Sequence, residues 1–129
     1  GTPQNMQKNP VYDDVVKDII SFFAKQIFEL HQLKLNDIII DMGFGFGKTI
    51  AHNYQILKDL RLFKSLEAPI LTGISRKSML YKTLDISAQE ALNATTSANT
   101  IALLNGANIL RVHDVKEAVE AVKIVTQVL

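Results

Sequence analysis

Three short segments of the sequence concentrate side chains that can bind an anion or the hydrogen-bonding edge of a flat ligand. The first is DMGFGFGKT at 41–49, where a carboxylate precedes a loop of alternating glycines. The others are SRKS at 75–78 and RVHD at 111–114. Arginine, lysine and histidine donate hydrogen bonds to phosphate or carboxylate oxygens, and a carboxylate accepts them from paired N–H groups. If the segments meet in space, they form one polar binding site.

The glycine-rich segment matches neither common nucleotide-binding motif. The phosphate-binding pattern GxxxxGK[ST] requires glycine where Met42 stands, and the dinucleotide pattern GxGxxG requires it where Lys48 stands. The glycines still predict a tight turn or a close approach of backbone to a ligand. Phe44 is interpreted as a core residue, whereas Phe46 fits a wall against a flat ring at least as well as a core position.

The cations of the second and third segments suit an anionic ligand. Arg76 and Lys77 stand at the N-terminus of a predicted helix, where positive charge opposes the helix dipole and so does not serve helix stability. Together with free backbone amides and Ser78, they would attract a carboxylate or phosphate. Arg111 and His113 alternate along a strand end and therefore share a face, from which both can donate to one oxyanion.

Other roles are open for the acidic residues and the histidine. Asp41 either forms an ion pair with Lys77 or Arg76, or accepts two parallel hydrogen bonds from amidine-like N–H groups of a ligand. His113 is alternatively a core histidine bonded to a backbone carbonyl, and Asp114 is most simply the N-cap of the last helix. The sequence shows no ligand spacing for a protein-made transition-metal site and no Ser/His/Asp or Cys/His nucleophile set.

The elements that position these segments alternate along the chain. Apolar residues at helical spacing predict a helix over 10–31, and a β-branched run predicts a buried parallel strand over 37–41. The remaining predicted elements are helices over 53–66 and 77–84, a helix from the capping box at 87–90 to 105, a helix from 115 to the C-terminus, and strands over 69–74 and 108–112. This order predicts an α/β fold in which the carboxyl ends of parallel strands share one rim. Alanines at 91, 94, 98 and 102 predict that the helix ending at 105 packs closely against a sheet or another helix.

Composition narrows the class of protein. The 129 residues are 47% hydrophobic with a formal net charge of +1, which is typical of a soluble single domain. A nucleic-acid binder would carry a basic excess, and no apolar run approaches the ~20 residues of a membrane span, so we expect neither partner. The lack of cysteine excludes a disulfide framework and fits a reducing, cytoplasmic setting. With no initiator methionine and no signal peptide, the sequence reads as the middle of a longer protein.

In order and spacing, the three segments resemble those of the dihydropteroate synthases, and GTPQNMQ at 1–7 resembles the segment after the fifth barrel strand of that family. The resemblance implies that residues 1–129 are the C-terminal half of a pterin-binding TIM (β/α)8 barrel, namely helix 5 and strands 6 to 8 with their helices. It also implies condensation of 6-hydroxymethyl-7,8-dihydropterin pyrophosphate with p-aminobenzoate to 7,8-dihydropteroate and pyrophosphate in folate biosynthesis. Sulfonamides would occupy the p-aminobenzoate place.

The same resemblance assigns roles around the two rings. Asp41 would accept hydrogen bonds from the pterin N–H and amino groups, and Lys77 would contact acceptors of that ring. Phe46 would flank the p-aminobenzoate or pterin ring, and Ser78 would help to hold the p-aminobenzoate carboxylate. Arg76 would lie beside the site as a further substrate-binding residue.

The resemblance also implies that Arg111 and His113 hold the departing pyrophosphate. Together with Lys77, they are the implied catalytic residues. Mg2+ is the implied cofactor, with ligands mainly from the barrel half that this chain lacks and from the pyrophosphate. Met42 stands where the family usually has proline, and we expect a looser strand end there. Because the first half of the family's barrel carries further site groups, we expect no turnover from this chain alone.

Two other interpretations stay open. A related pterin-binding domain, such as that of a methyltetrahydrofolate-dependent methyltransferase, should lack the paired SRKS and RVHD segments. A non-catalytic half-barrel module is the second, because three parallel strands leave two open edges that invite pairing with another chain. The resemblance also implies dimerisation through the late helices, so we expect a homodimer or a larger assembly.

Overall fold

The computed structural model describes residues 9–45 and 47–129, with side chains from residue 15 onward. A helix comes first and three strand–helix units follow, which confirms the predicted α/β order. The helices are α1 (Asn9–Gln32), α2 (Ile50–Lys58), α3 (Ser78–Leu84), α4 (Leu92–Leu104) and α5 (Val115–Val125); the strands are β1 (Ile40–Asp41), β2 (Ile70–Thr72) and β3 (Ile109–Leu110); 3-10 helices lie at Leu60–Leu66 and Ala88–Glu90. The segment 1–7 and Phe46 lie outside the described residues.

The three strands form one parallel sheet in the order β1–β2–β3. Asp41 is paired with Leu71, and Leu71 with Ile109, so the strands run almost in step. Pairing continues past β3, because the N–H of Arg111 donates to the Thr72 carbonyl at 3.0 Å. The segments that follow the strands are therefore held at one end of the sheet, as the sequence predicted.

Regular pairing covers fewer residues than the apolar runs suggested. The strands predicted over 37–41, 69–74 and 108–112 are reduced to two, three and two residues. Among the described residues both outer strands pair only with β2, so the short β2 limits the ladder on each side. Ile39, inside the first predicted strand, leaves 56% of its surface exposed, whereas its neighbour Ile40 is buried, because successive side chains of a strand point to opposite faces.

Met42 does not loosen the end of β1, contrary to the expectation from its departure from proline. Its side chain is 2% exposed and belongs to the hydrophobic core. Its backbone N–H donates to the Leu71 carbonyl at 3.2 Å, a bond that proline cannot make because it has no N–H. The methionine therefore extends the β1–β2 pairing by one bond beyond Asp41.

The second helix starts earlier and ends earlier than its apolar pattern predicted. Thr49 is its N-cap, and the Thr49 hydroxyl accepts a hydrogen bond from the His52 N–H at 3.0 Å. This cap starts α2 at Ile50 instead of position 53. The chain then changes at Asp59 to a 3-10 helix, so the predicted single helix over 53–66 consists of two short ones.

The predicted capping box is present, but it starts only one 3-10 turn. The Ser87 side chain accepts a hydrogen bond from the Glu90 backbone N–H, and the Glu90 carboxylate accepts one from the Ser87 backbone N–H, as the motif requires. Ala91 then interrupts the helix, and α4 begins at Leu92. The predicted small face is confirmed, because Ala91, Ala98 and Ala102 are at most 2% exposed and Ala94 is partly buried against the core.

The hydrophobic core lies between the sheet, α1 and the helices α2, α3 and α4. Its largest fully buried apolar side chains are aromatic, branched or methionine: Phe44, Phe63, Ile40, Met42, Ile56, Leu60, Ile70, Ile74 and Met79. The prediction that Phe44 is a core residue is confirmed, since none of its surface is exposed. The start of the glycine loop is thus anchored in the core. No helix in the described part of the chain is both long and apolar enough to span a membrane.

Helix α5 is confirmed from Val115, but it ends at Val125 instead of at the C-terminus, and much of its apolar surface faces outward. Ala118, Ala121 and Val125 form its buried face, whereas Val115, Val119 and Val122 are 63%, 44% and 39% exposed. Together with residues of α4 and β3, the three valines line a groove of about 420 Å3. Contiguous apolar surface of this kind marks a contact site in soluble proteins.

The N-cap of α2 gives a test of this local structure. Thr49→Ala should lower the free energy of unfolding by about 1 kcal/mol, because the His52 amide loses its acceptor. Thr49→Ser keeps the hydroxyl and should retain most of that stability. Urea denaturation of both variants measures the difference, and equal losses in the two would show that the cap contributes nothing.

Candidate functional site

The three predicted segments meet at the carboxyl end of the sheet. Nη1 of Arg111, which follows β3, donates to Oδ2 of Asp41 at the end of β1, over a distance of 2.7 Å. Lys77 and His113 line a cavity of about 140 Å3 beside this pair, together with Gly73, Ser75, Arg111 and Val112. The ion-pair partner of Asp41 is thus Arg111, whereas the sequence suggested Lys77 or Arg76.

The reach of Arg111 across the sheet depends on Gly73. Because β2 lies between β1 and β3, the arginine side chain must cross the chain that follows β2 before it reaches Asp41. A Cβ atom at position 73 would lie only 2.5 Å from Nη2 and 2.9 Å from Cζ of Arg111. The missing side chain of Gly73 therefore leaves the space through which the guanidinium passes.

Asp41 is surrounded by donors. Burial raises the pKa of its carboxyl, but the Arg111 hydrogen bond, the Gly43 backbone N–H at 3.0 Å and the charges of Arg111 and Lys77 outweigh this, so the net pKa is lowered. The side chain is also 46% exposed, so its pairing with Arg111 is worth at most about 1 kcal/mol. Such a carboxylate is held ionised and remains accessible to a ligand.

The glycine loop after β1 is fixed by side chains from elsewhere. Buried Asn53 accepts from the Gly45 N–H at 3.0 Å and donates to the Thr49 carbonyl at 3.0 Å. Nζ of Lys48 donates to the Gly43 carbonyl at 3.0 Å, and Lys77 donates to the Phe44 carbonyl. Gly45 and its neighbouring glycines have positive φ angles, which explains the predicted tight turn.

Lys77 connects the glycine loop to the cavity. Its side chain runs past Gly45, where a Cβ atom would be 3.5 Å from the lysine Cδ. Burial lowers the pKa of Lys77, the charges of Arg111 and Lys48 lower it further, and Asp41 partly opposes this. Lys48, Lys77 and Arg111 thus place three cations near the single carboxylate of Asp41. This excess of positive charge makes the site attractive to an anion.

All three side-chain nitrogens of Arg76 donate hydrogen bonds to other parts of the protein. Its Nε and Nη2 form a bidentate pair with Asp114 at 2.9 and 3.0 Å, and Nη1 donates to the carbonyls of Ala88 and Gln89. Its backbone N–H donates to Thr95. Asp114 does stand at the N-cap position of α5, but its side chain makes no capping bond and serves Arg76 instead.

His113 is exposed and does not have the core position that was one alternative for it. Nδ1 of its ring is 2.7 Å from the hydroxyl of Ser75, and its backbone N–H donates to the same hydroxyl at 3.2 Å. Ser75 itself is 5% exposed. The ring therefore stands at the cavity edge with one nitrogen fixed.

The structure brings together most of the predicted site residues. Asp41, Lys77, Arg111 and His113 surround one cavity or its edge, and Ser78 follows as the first residue of α3. Arg76 lies beside them with its guanidinium directed at Asp114, and Phe46 lies outside the described residues. Three supporting residues were given no role by the sequence: Asn53, Ser75 and Gly73. Ser75 belongs to the predicted segment at 75–78, and Gly73 also left a signal, because a glycine directly after an apolar strand run indicates close backbone approach. Asn53 left none.

The Arg76–Asp114 pair predicts an acid-dependent loss of stability. The Arg76 hydrogen bonds and charge hold the pKa of Asp114 below its ordinary value of 3.8. A lowered folded-state pKa stabilises the fold above the unfolded-state pKa, and this contribution disappears as the pH falls through the folded-state pKa.

Asp114→Asn should therefore be less stable than the wild type near neutral pH and should lose less stability between about pH 5 and pH 3. Asp18→Asn, at an exposed position of α1, is the charge-matched control. Denaturant unfolding across this pH range measures both. Parallel pH profiles for wild type and Asp114→Asn would contradict the linkage.

Comparison with known proteins identifies what this chain is similar to. A sequence profile described as "Pterin binding enzyme" matches residues 1–113. The dihydropteroate synthase of Escherichia coli (strain K12) is 41% identical over 131 residues, which cover 100% of this chain and 46% of that protein. A Yersinia pestis dihydropteroate synthase solved with a sulfonamide drug is 43% identical, with a TM-score of 0.86 over 99% of this chain and 47% of that one.

A dihydropteroate synthase from Coxiella burnetii, solved in complex with pteroic acid, is 32% identical with a TM-score of 0.87 over 91% of this chain and 44% of that one. The chain thus spans less than half the length of the relatives it matches. The profile, however, covers all but the last 16 residues of the chain, up to and including His113. The chain therefore belongs to the family of pterin-binding enzymes.

Proposed function

We propose that this chain supplies the pterin- and pyrophosphate-binding part of a dihydropteroate synthase. The observation that carries the proposal is the convergence of Asp41, Lys77, Arg111 and His113 at one end of the sheet. The reaction joins 6-hydroxymethyl-7,8-dihydropterin pyrophosphate to p-aminobenzoate and releases pyrophosphate, as a step of folate biosynthesis. The relatives' names and their complexes with a sulfonamide drug and pteroic acid support this assignment.

At the pterin end, we assign recognition to Asp41. A carboxylate offers about four acceptor sites, and here one is used by the Gly43 amide and one by Arg111. The remaining sites suit the adjacent N–H and amino groups of a pterin, which present two parallel donors. Lys77, which runs along the glycine loop, would donate to acceptors on the same ring.

At the pyrophosphate end of the substrate, we assign binding of the leaving pyrophosphate to Arg111 and His113. When the C–O bond breaks, the electron pair goes to the pyrophosphate oxygen and positive charge is left on the pterin. Donors directed at the growing negative charge lower the barrier by roughly 2–4 kcal/mol each. The amine nitrogen of p-aminobenzoate then attacks the cationic carbon and loses a proton, so no covalent intermediate with the protein is required.

The p-aminobenzoate place is assigned to Ser78 and Phe46. Ser78 is half-buried at the start of α3, close in sequence to Lys77, where a hydroxyl can donate to the carboxylate. Phe46 would flank the rings. Arg76 supports this region through the loop around Ala88 and Gln89, because its guanidinium is engaged there and with Asp114.

The described residues form no group of three or more histidine, aspartate or glutamate side chains that could hold a metal ion by themselves. Asp41, the carboxylate that pairs with the cavity residue Arg111, already faces cations. We therefore propose that any Mg2+ takes its ligands from the pyrophosphate and from protein outside this chain.

We further propose that the chain forms strands 6 to 8 of a (β/α)8 barrel and helix 5, as one C-terminal half-barrel unit. The relatives' greater length and the groove lined by Val115, Val119 and Val122 support this, because the groove is also lined by β3, which pairs only with β2 among the described residues. The rest of the barrel would cover that surface and complete the site. Pyrophosphate release by the complete enzyme would distinguish it from a pterin-binding methyltransferase.

The first test concerns Asp41. Asp41→Asn should weaken binding of the pterin pyrophosphate to this chain by roughly 10- to 100-fold, because the amide replaces one acceptor by a donor. Fluorescence titration of the pterin measures the affinity. Asp37→Asn, at an exposed position before β1, removes the same charge and should bind as the wild type does. Equal affinity of all three proteins would remove the pterin role from Asp41.

The second test concerns the passage above Gly73. Gly73→Ala should displace the Arg111 guanidinium and weaken binding of pyrophosphate by about tenfold, the effect of a lost charge-assisted hydrogen bond. Gly73 has no positive φ, so the alanine backbone itself is not strained. In an Arg111→Ala background the same change should have no further effect. Isothermal titration of pyrophosphate decides this, and additive losses would show that Gly73 acts independently of Arg111.

A further inference from the structure

The hydroxyl of Ser75 holds both the backbone and the ring of His113. It accepts a hydrogen bond from the His113 N–H at 3.2 Å and lies 2.7 Å from Nδ1 of the ring. Ser75 is 5% exposed, so water does not readily replace either contact. One buried atom thus fixes where His113 stands and how its ring is turned.

The hydrogen bonds of the Ser75 hydroxyl assign the tautomer of the neutral His113 ring. A serine hydroxyl has one proton to donate and two lone pairs. The His113 N–H uses one lone pair, and within the described residues Nδ1 is the acceptor in reach of the hydroxyl proton. If Ser75 donates to Nδ1, then Nδ1 carries no proton and the proton of a neutral imidazole is on Nε2.

We infer that Ser75 is a positioning residue that holds neutral His113 in the Nε2–H tautomer at the cavity edge. Nε2 lies on the side of the ring away from Ser75, so this tautomer presents a donor beside Lys77 and Arg111, which line the same cavity. The opposite tautomer would present a lone pair, which repels a phosphate oxygen. The identity of the anion as pyrophosphate rests on the proposed function, whereas the tautomer does not.

The tautomer can be measured directly on the wild-type chain. Long-range 1H–15N correlation spectra of uniformly labelled protein distinguish protonated from unprotonated ring nitrogens, at a mildly alkaline pH where imidazoles are neutral. The chain has 3 histidines, and His113→Gln identifies the signals of His113. We expect the Nε2–H pattern. An Nδ1–H pattern in the wild type overturns the inference without any Ser75 variant.

Variants of Ser75 then test the cause. Ser75→Ala should give His113 a mixture of both tautomers and weaken pyrophosphate binding about 5- to 10-fold, whereas Ser75→Thr keeps the hydroxyl and should restore the Nε2–H pattern. A Ser75→Ala protein with an unchanged pattern also overturns the inference. Circular dichroism checks that each variant is folded. Failure of the wild type to bind pyrophosphate counts against the proposed function, and the tautomer decides the inference separately.

Discussion

The site depends on one arginine that reaches across a parallel sheet. Arg111 follows β3 and contacts Asp41 at the end of β1, so its side chain must pass the chain that leaves β2. This works because the strands are in step and because position 73 has no side chain. A shift of one residue in register would turn the side chains to the other face of the sheet. Register and one glycine thus position the charges of the site.

Around this crossing, the other loops are held by groups that do not contact the cavity. Asn53 fixes the glycine loop through the Gly45 amide, and buried Phe44 anchors that loop in the core. The Thr49 side chain caps α2, and the Thr49 carbonyl accepts a hydrogen bond from the Asn53 side chain. The start of α2 therefore supports the glycine loop that Lys77 contacts.

The order of elements, the shared rim and four of its residues followed from the sequence, because apolar periodicity and polar strand ends are local patterns. These residues are Asp41, Lys77, Arg111 and His113. The sequence does not show which ion-pair partner each charged side chain takes. Nothing local distinguishes Arg111 from Lys77 or Arg76 as the partner of Asp41, since that depends on strand register and on the space above Gly73. The same holds for Asp114, whose position predicts a cap but whose carboxylate meets a guanidinium 38 residues away in sequence. Strand lengths were overestimated because pairing depends on the neighbour.

The guanidinium of Arg76 has a consequence for motion. Its four bonds join the loop after β2 to the 3-10 turn at Ala88–Glu90 and to the start of α5. Opening any one of these segments breaks bonds shared with the others. Regions linked in this way fluctuate as a cooperative unit, with one free energy of local opening in place of several smaller ones. We therefore expect the loops that carry Lys77 and His113 to open as one unit.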